Sequence, residues 1–191
     1  MTSLNRTWTL YFHAKDKSKN YDANTIKIMD INTIEDFWGC FNHTPKPHDL
    51  FYDGYTQKGL KITDRSRGET EGTIYMPNAW SFFEQGINPT WDDPSNIDGA
   101  EWSIRKFNGL KDISGMWMTA LVDLVGEMSE YSQHIKGIRI VDSTLPEKPM
   151  YRLEVWFDKV EVSDIIHIHI KKLFNIKSNL LYRVHKNVKE V

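Results

Sequence analysis

The chain of 191 residues has one cysteine, Cys40, so no disulfide can close within it, as suits a reducing compartment. A redox or nucleophilic role for Cys40 would need a base paired with it, and none is visible, so it reads as a small packing residue. No apolar stretch approaches the ~20 residues of a membrane-spanning helix. The first residues hold no basic segment followed by an apolar one, so no secretory leader is expected. Excess positive charge is lacking too: Lys plus Arg number 24 against 26 for Asp plus Glu. That balance excludes a broad basic surface gripping many phosphates, and any nucleic-acid contact must be local. Neither common glycine-rich phosphate loop is present, nor any internal repeat or low-complexity segment. What remains is a cytoplasmic, globular chain, expected to form a single domain over residues 1–191.

Aromatic residues, in contrast, are plentiful. Seven Trp and eight Tyr exceed what a core of this size needs, so some rings are expected at contact surfaces. Residues 8–13, W-T-L-Y-F-H, read as a strand, and a polar loop over 15–24 containing Tyr21 leads to a second strand over 25–31. Thr33 then predicts a helix N-cap, with Asp36 placed to complete a capping box. Ile34, Phe37, Trp38 and Phe41 recur at helical spacing, a stripe that core burial alone would explain. Further strands are predicted at 80–85, 100–107, 137–142, 150–158 and 180–185. A second helix starts at Asp112 or Ser114, with Trp117, Leu121, Leu124, Val125 and Met128 inward and Met118 and Val122 off to one side. Ser163 and Asp164 cap a third, with Ile166, Ile170 and Leu173 inward. Strand pairs separated by helices make an α+β chain, a mainly antiparallel sheet with helices on one face.

One loop stands out: Gly86-Ile87-Asn88-Pro89-Thr90-Trp91-Asp92-Asp93. Its Gly, Asn and Pro mark a turn, yet it carries an indole followed by carboxylates. Two readings are open. Trp91 anchors the loop on the core, or its face meets a flat cation or base while a carboxylate accepts from the N–H donors of a base edge.

Several pieces together carry a resemblance. Thr33-Ile34-Glu35-Asp36-Phe37-Trp38, ending at Asn42-His43, resembles the first-helix signature of translation initiation factor 4E, the messenger-RNA cap-binding family, and the Trp91 octapeptide resembles its cap loop. Asp16-Lys17-Ser18-Lys19-Asn20-Tyr21, the helix from Trp117 ending Leu124-Val125-Gly126-Glu127, and Leu153-Glu154-Val155-Trp156 follow in the family's order. The resemblance implies a curved, mainly antiparallel sheet with three helices on its convex face. It implies that Tyr21 and Trp91 sandwich 7-methylguanine, that Asp92 accepts from the base edge, and that Trp156 packs against the N7 methyl. Arg152 matches a phosphate-binding position, and Lys148, from the longer loop 143–149, is a candidate to assist it. On the back, Ile34, Trp38 and Met118 would bind a helix of an initiation factor 4G-like or 4E-binding protein. The chain departs from the family with Tyr21 in place of Trp, Asp92 in place of Glu, Glu101 in place of a basic residue, and Asp142 and Ser143 where a basic pair is usual.

The expected function is therefore binding of the 7-methylguanosine cap and recruitment of initiation machinery, by a monomer without cofactor or catalysis. The alternative is a cap-independent protein that sequesters 4G-like partners. Within residues 45–76 the chain holds a family-atypical insert of roughly twenty residues, with a short hairpin around 60–62; its Lys58, Lys61, Arg65 and Arg67 suit further nucleotides, a dedicated partner, or plain solvation. His167 and His169 lack further ligands at metal spacing, so no metal site is expected. Asp92, Asp93 and Asp98 invite comparison with a metal-dependent cap hydrolase, but no catalytic base accompanies them.

Overall fold

The computed structural model describes residues 1–65, 68–105, 107–145 and 148–187. In chain order the elements are β1 (Ser3–Ala14), α1 (Tyr21–Asn24), β2 (Thr25–Thr33), α2 (Ile34–His43), α3 (Pro47–Leu50), β3 (Leu60–Ile62), β4 (Thr73–Tyr75) and β5 (Pro77–Glu84), then β6 (Ala100–Ile104), α4 (Leu110–Val125), β7 (Ile135–Asp142), β8 (Tyr151–Phe157), α5 (Ser163–Leu173) and β9 (Leu181–Val184). Seven strands form one curved sheet in the order β2-β1-β5-β7-β8-β6-β9, each neighbour antiparallel. The expected architecture holds.

Register explains the division of labour between its faces, because residues opposite one another project to the same side. One row across the strands runs Leu10, Phe82, Ile138, Val155, Trp102, and another Phe12, Trp80, Ile140, Leu153, Ile104. These rows are apolar and pack under Phe37 and Cys40 of α2, Ile113, Trp117, Ala120, Leu121 and Leu124 of α4, and Ile166 and Ile170 of α5. The alternate residues form the rows Tyr11, Ser81, Arg139, Glu154, Ser103 and Thr9, Phe83, Gly137, Trp156, Glu101, Arg183. That opposite face is polar, apart from the small cluster of Phe83, Ile87 and Trp156 with Tyr11 and Trp91 against it.

Several boundaries differ from expectation. Tyr21 opens a short helix instead of lying in a loop, with Asn20 accepting from the Ala23 amide at 2.9 Å. Thr33 does cap α2, accepting from the Asp36 amide at 3.0 Å, but Glu35 is drawn back to the Thr2 amide at 2.9 Å. Helix α4 starts earlier than Asp112; that carboxylate, inside the first turn, accepts from the Asn108 amide at 3.0 Å. The helix ends at Val125, so Met128 is exposed rather than inward. Ser163 lies within α5, after a 3₁₀ turn over Val160–Val162, and no side chain caps it. The expected strand at 100–107 ends at Ile104, and Lys106 lies outside the described residues.

Within 45–76, Tyr52 and Gln57 are anchored to the sheet. The hairpin is real, β3 pairing with β4. Buried Asp142 accepts from the Tyr52 amide at 3.1 Å and from Gln57 at 3.2 Å, and the Tyr151 hydroxyl donates to the Tyr52 carbonyl. Lys58, Lys61 and Arg65 are exposed; Arg67 lies outside the described residues. No helix among the described residues is long and apolar enough to cross a membrane.

Candidate functional site

The Trp91 loop is built by its own polar residues. It opens at Gly86, whose φ of +88° a side chain would strain. It closes at Gly99, where a Cβ would lie 1.8 Å from the Phe157 carbonyl oxygen. Between them, buried Asp93 accepts from the Asn88 and Ser95 amides, each at 2.9 Å. Buried Asn96 donates to the Asn88 and Thr90 carbonyls, each at 2.9 Å. The carboxylates thus part ways: Asp93 braces the loop, Asp98 pairs with Lys186, and Asp92 stays exposed.

These bonds hold Trp91 half-exposed at the wall of a cavity of about 650 Å³, shared with Tyr21, Pro89, Asp92, Arg139, Arg152, Trp156 and His185. The Tyr21 hydroxyl donates to the Pro89 carbonyl at 2.6 Å, which ties α1 to the Trp91 loop across 68 residues of sequence. The indole of Trp91 lies near-parallel to that of Trp156, 13° between planes and 6.4 Å between centroids, and its N–H donates to Glu101 at 3.5 Å. The Tyr21 ring has other neighbours, His13 and the Arg139 guanidinium, each 5.5 Å away. His13 is buried, held by Ser81 at 2.6 Å and Thr25 at 3.1 Å, and burial followed by the charge of Arg139 keeps it neutral, well below the ordinary histidine range.

Beneath the rings lies a charged floor. Arg139 and Glu154 stand opposite one another on β7 and β8, and both are buried. Arg152 pairs with Glu154, which also accepts from the Trp156 indole at 3.1 Å. Glu101, likewise buried, has Arg183 at 3.9 Å and His185 Nε2 at 3.8 Å. His185 Nδ1 donates to the Asn96 carbonyl at 2.7 Å, which makes Nε2 the bare nitrogen. Arg139 Nε and His185 Nε2, both buried, have no hydrogen-bond partner among the described residues. Of the residues expected to meet phosphate, Arg152 lines the cavity. Lys148 is exposed in the β7–β8 connection, bridged to Leu145, and is not part of the cavity wall.

The model of the family described as eukaryotic initiation factor 4E matches residues 3–60 and 66–190. The chain belongs to the initiation factor 4E family. It is 27% identical over 135 residues to eukaryotic translation initiation factor 4E1 of Drosophila melanogaster, covering 70% of this chain and 43% of that protein. With initiation factor 4E-1A of Danio rerio it shares 28% over 174 residues, 90% of this chain and 67% of that one. The chain therefore spans less than half of the fly protein and about two thirds of the fish protein. Among solved structures, Caenorhabditis elegans eIF4E-3, in complex with the 4E-binding protein Mextli and a cap analogue, superposes with a TM-score of 0.73 at 22% identity over 97% of this chain and 94% of that one. The family match skips 61–65, which begin within β3.

The family's back face is exposed as well. On α2, Phe37 and Cys40 are buried, whereas Ile34 is 41% and Trp38 39% exposed. Trp38 meets Phe37 and Phe41 edge-on at 5.1 and 6.0 Å. Helix α4 lies alongside: Phe37, Cys40 and Phe41 line one small buried pocket with Trp117 and Leu121. On its outer side Met118 is half-buried and Val122 exposed. Burial pushes the Cys40 thiol up to about 11, consistent with packing rather than reactivity. The two histidines of α5 diverge, His167 stacking on Trp102 at 4.5 Å and His169 bonding Asp123 at 2.8 Å.

Sequence reasoning missed Arg139, Glu154, His185 and Asn96 as parts of the site. A signal was present: in Tyr151–Phe157 every second residue is Arg152, Glu154 and Trp156, a polar face set into an otherwise apolar strand.

Proposed function

We propose that the chain binds the 7-methylguanosine cap of messenger RNA in the Tyr21–Trp91 cavity and recruits a helical partner, initiation factor 4G-like or a 4E-binding protein, on the Ile34–Trp38–Met118 face. The observation that carries this reading is that Tyr21 and Trp91, 70 positions apart, wall one cavity and are joined through the hydroxyl–Pro89 bond. N7-methylation makes guanine a delocalised cation, which electron-rich rings favour over the plain base. Asp92 is exposed at the mouth, where it can accept from the N1–H and exocyclic amine in charge-assisted bonds. Trp156 closes the cavity behind Trp91 and offers an apolar wall to the methyl group. Arg152 meets the phosphate chain, with Lys148 available from the neighbouring loop. The role is binding without turnover, by a cytoplasmic monomer whose residues 1–191 act as one cap-binding domain.

The test is quenching of tryptophan fluorescence by 7-methylguanosine triphosphate. Saturable quenching that unmethylated GTP does not compete supports the reading; equal response to both nucleotides overturns it. A second reading, a cap-independent protein that sequesters 4G-like partners, draws on Glu101 and Glu154, two buried carboxylates behind the cavity wall. It predicts helix binding with no nucleotide response.

A further inference from the structure

Directly behind the cavity wall, in contact with Arg152, Trp91, Trp156 and His185 that line it, lies a feature at odds with phosphate binding. Glu101 and Glu154, each 1% exposed, sit on adjacent strands β6 and β8. Their surroundings are fully specified by the elements packed on them. From β8 comes Arg152, paired with Glu154; from β7, Arg139 opposite Glu154; from β9, Arg183 at 3.9 Å from Glu101. From the turn after β9, His185 Nε2 lies 3.8 Å from Glu101; from the Trp91 loop, the indole N–H lies at 3.5 Å; within β6 itself, Ser103 Oγ lies at 3.4 Å. The arginines that would meet a phosphate are thus already facing carboxylates. A further anion brought among them meets Glu101 and Glu154 as like charges in a dry setting, which is costly.

One arrangement relieves the conflict. A proton on Glu101 removes one of the two negative charges and leaves Arg183 without its counterion. Its acceptor is already in place, because His185 donates through Nδ1 and keeps Nε2 bare, with no hydrogen-bond partner among the described residues. We propose that Glu101, backed by Glu154, couples phosphate binding to proton uptake: a phosphorylated 7-methylguanosine ligand binds as one proton passes from solvent to Glu101, which releases Arg183 for the phosphate. Glu101 acts through Arg183 and is a positioning residue. The inference rests on the cap reading of the cavity and names a regulation of that same site.

The sign follows from the empty pocket. Burial first, then the charge of Glu154, push the Glu101 carboxyl up to about 7, against the opposing pull of Arg183, Arg152 and the Trp91 N–H. A phosphate anion pushes it further up. The liganded protein then holds more protons than the empty one, and affinity rises as pH falls through 7.

The experiment measures fluorescence quenching of the wild-type chain by 7-methylguanosine nucleoside and by a cap dinucleotide, whose bridging triphosphate has no ionisation near neutrality. The readout is the ratio of the two affinities at pH 8 and pH 6, taken in the wild-type chain and in Glu101→Gln, because titration of the methylated base, shifted by phosphate in one ligand, is common to both chains and cancels between them. The ratio is expected to favour the dinucleotide about fivefold more at pH 6 than at pH 8. In Glu101→Gln the ratio is expected to lack that fivefold change and to match the wild-type value at pH 6. A ratio in the wild-type chain that does not change with pH overturns the proposal and leaves the cap reading standing. Absence of binding by both ligands at both pH values overturns the cap reading and, with it, this one.

Discussion

Each face of the sheet presents a tryptophan, and the two are exposed for different reasons. Trp38 rides a helix whose inward packing is done by its neighbours Phe37 and Cys40, so its own ring is left partly at the surface, edge-on to Phe37 and Phe41. Trp91 rides a loop whose shape is fixed by Asp93 and Asn96, and its ring is set in a polar network with Glu101, Arg183 and Trp156 nearby. In both places other residues do the folding, which leaves the indole available to a ligand. The surroundings then decide what kind of ligand. The back face is apolar around Trp38 and suits the apolar side of a helix. The front face surrounds Trp91 with paired charges and suits a base that carries charge of its own.

If that contrast is right, the two tryptophans should separate in function. Trp91→Ala should have the largest effect, a ten- to hundredfold loss of affinity for 7-methylguanosine ligands, since a base–aromatic stack is worth ~1–3 kcal/mol. Titration calorimetry, which does not depend on the lost fluorophore, is the check, with binding of a 4E-binding helix retained. Trp38→Ala should do the reverse. Removal of an aromatic anchor costs ~2 kcal/mol, so affinity for such a helix should fall about thirtyfold while the cap ligand binds as before. Parallel losses of both ligands in either variant would mean that the faces are not independent.

How much of this was legible in sequence depends on how local each feature is. The cap of α2 is local: Thr33 and the Asp36 amide are three residues apart, and the expected bond forms. The start of α4 is equally local but ambiguous, because an acid in the first turn and an acid before it look alike; Asp112 bonds the preceding Asn108 amide from inside the helix. The floor of the cavity is not local at all. That Arg139 meets Glu154, and Glu101 meets Arg183, depends on the register of two strand pairings, and alternation predicts which face a residue takes but not which residue it will face. Asn96 was illegible for another reason. A buried amide that satisfies two loop carbonyls looks in sequence like any polar loop residue.

Asn96 therefore offers a way to sharpen the contrast in stability instead of affinity. Asn96→Ala removes the side-chain donor to the Thr90 carbonyl and leaves the Asn88 carbonyl with the Thr90 amide alone, in a part-buried setting, at ~1–3 kcal/mol. Thermal unfolding should shift down by several degrees, at about 2–4 °C per kcal/mol for a chain of this size. Cap-ligand affinity should fall with it, since the loop carries Trp91; helix affinity should not. An unchanged midpoint would mean that the loop is held chiefly by its glycines and Asp93.

The smallest effect tests the link between the two walls of the cavity. Tyr21→Phe keeps the ring and deletes only the hydroxyl that donates to the Pro89 carbonyl at 2.6 Å. A neutral hydrogen bond of this kind is worth ~1 kcal/mol, or about fivefold in affinity if it serves to hold the walls together. The loss should fall on association with cap ligands and leave the unfolding midpoint nearly unmoved, because α1 is also tied down by Asn24, whose amide donates to the Asp16 carbonyl at 2.8 Å. A loss as large as that of Trp91→Ala would show that the hydroxyl, rather than the ring, is what Tyr21 contributes. No loss at all would mean that the ring positions itself through His13 and Arg139 alone, and that the phenol in place of the family's usual indole adds no clamp of its own.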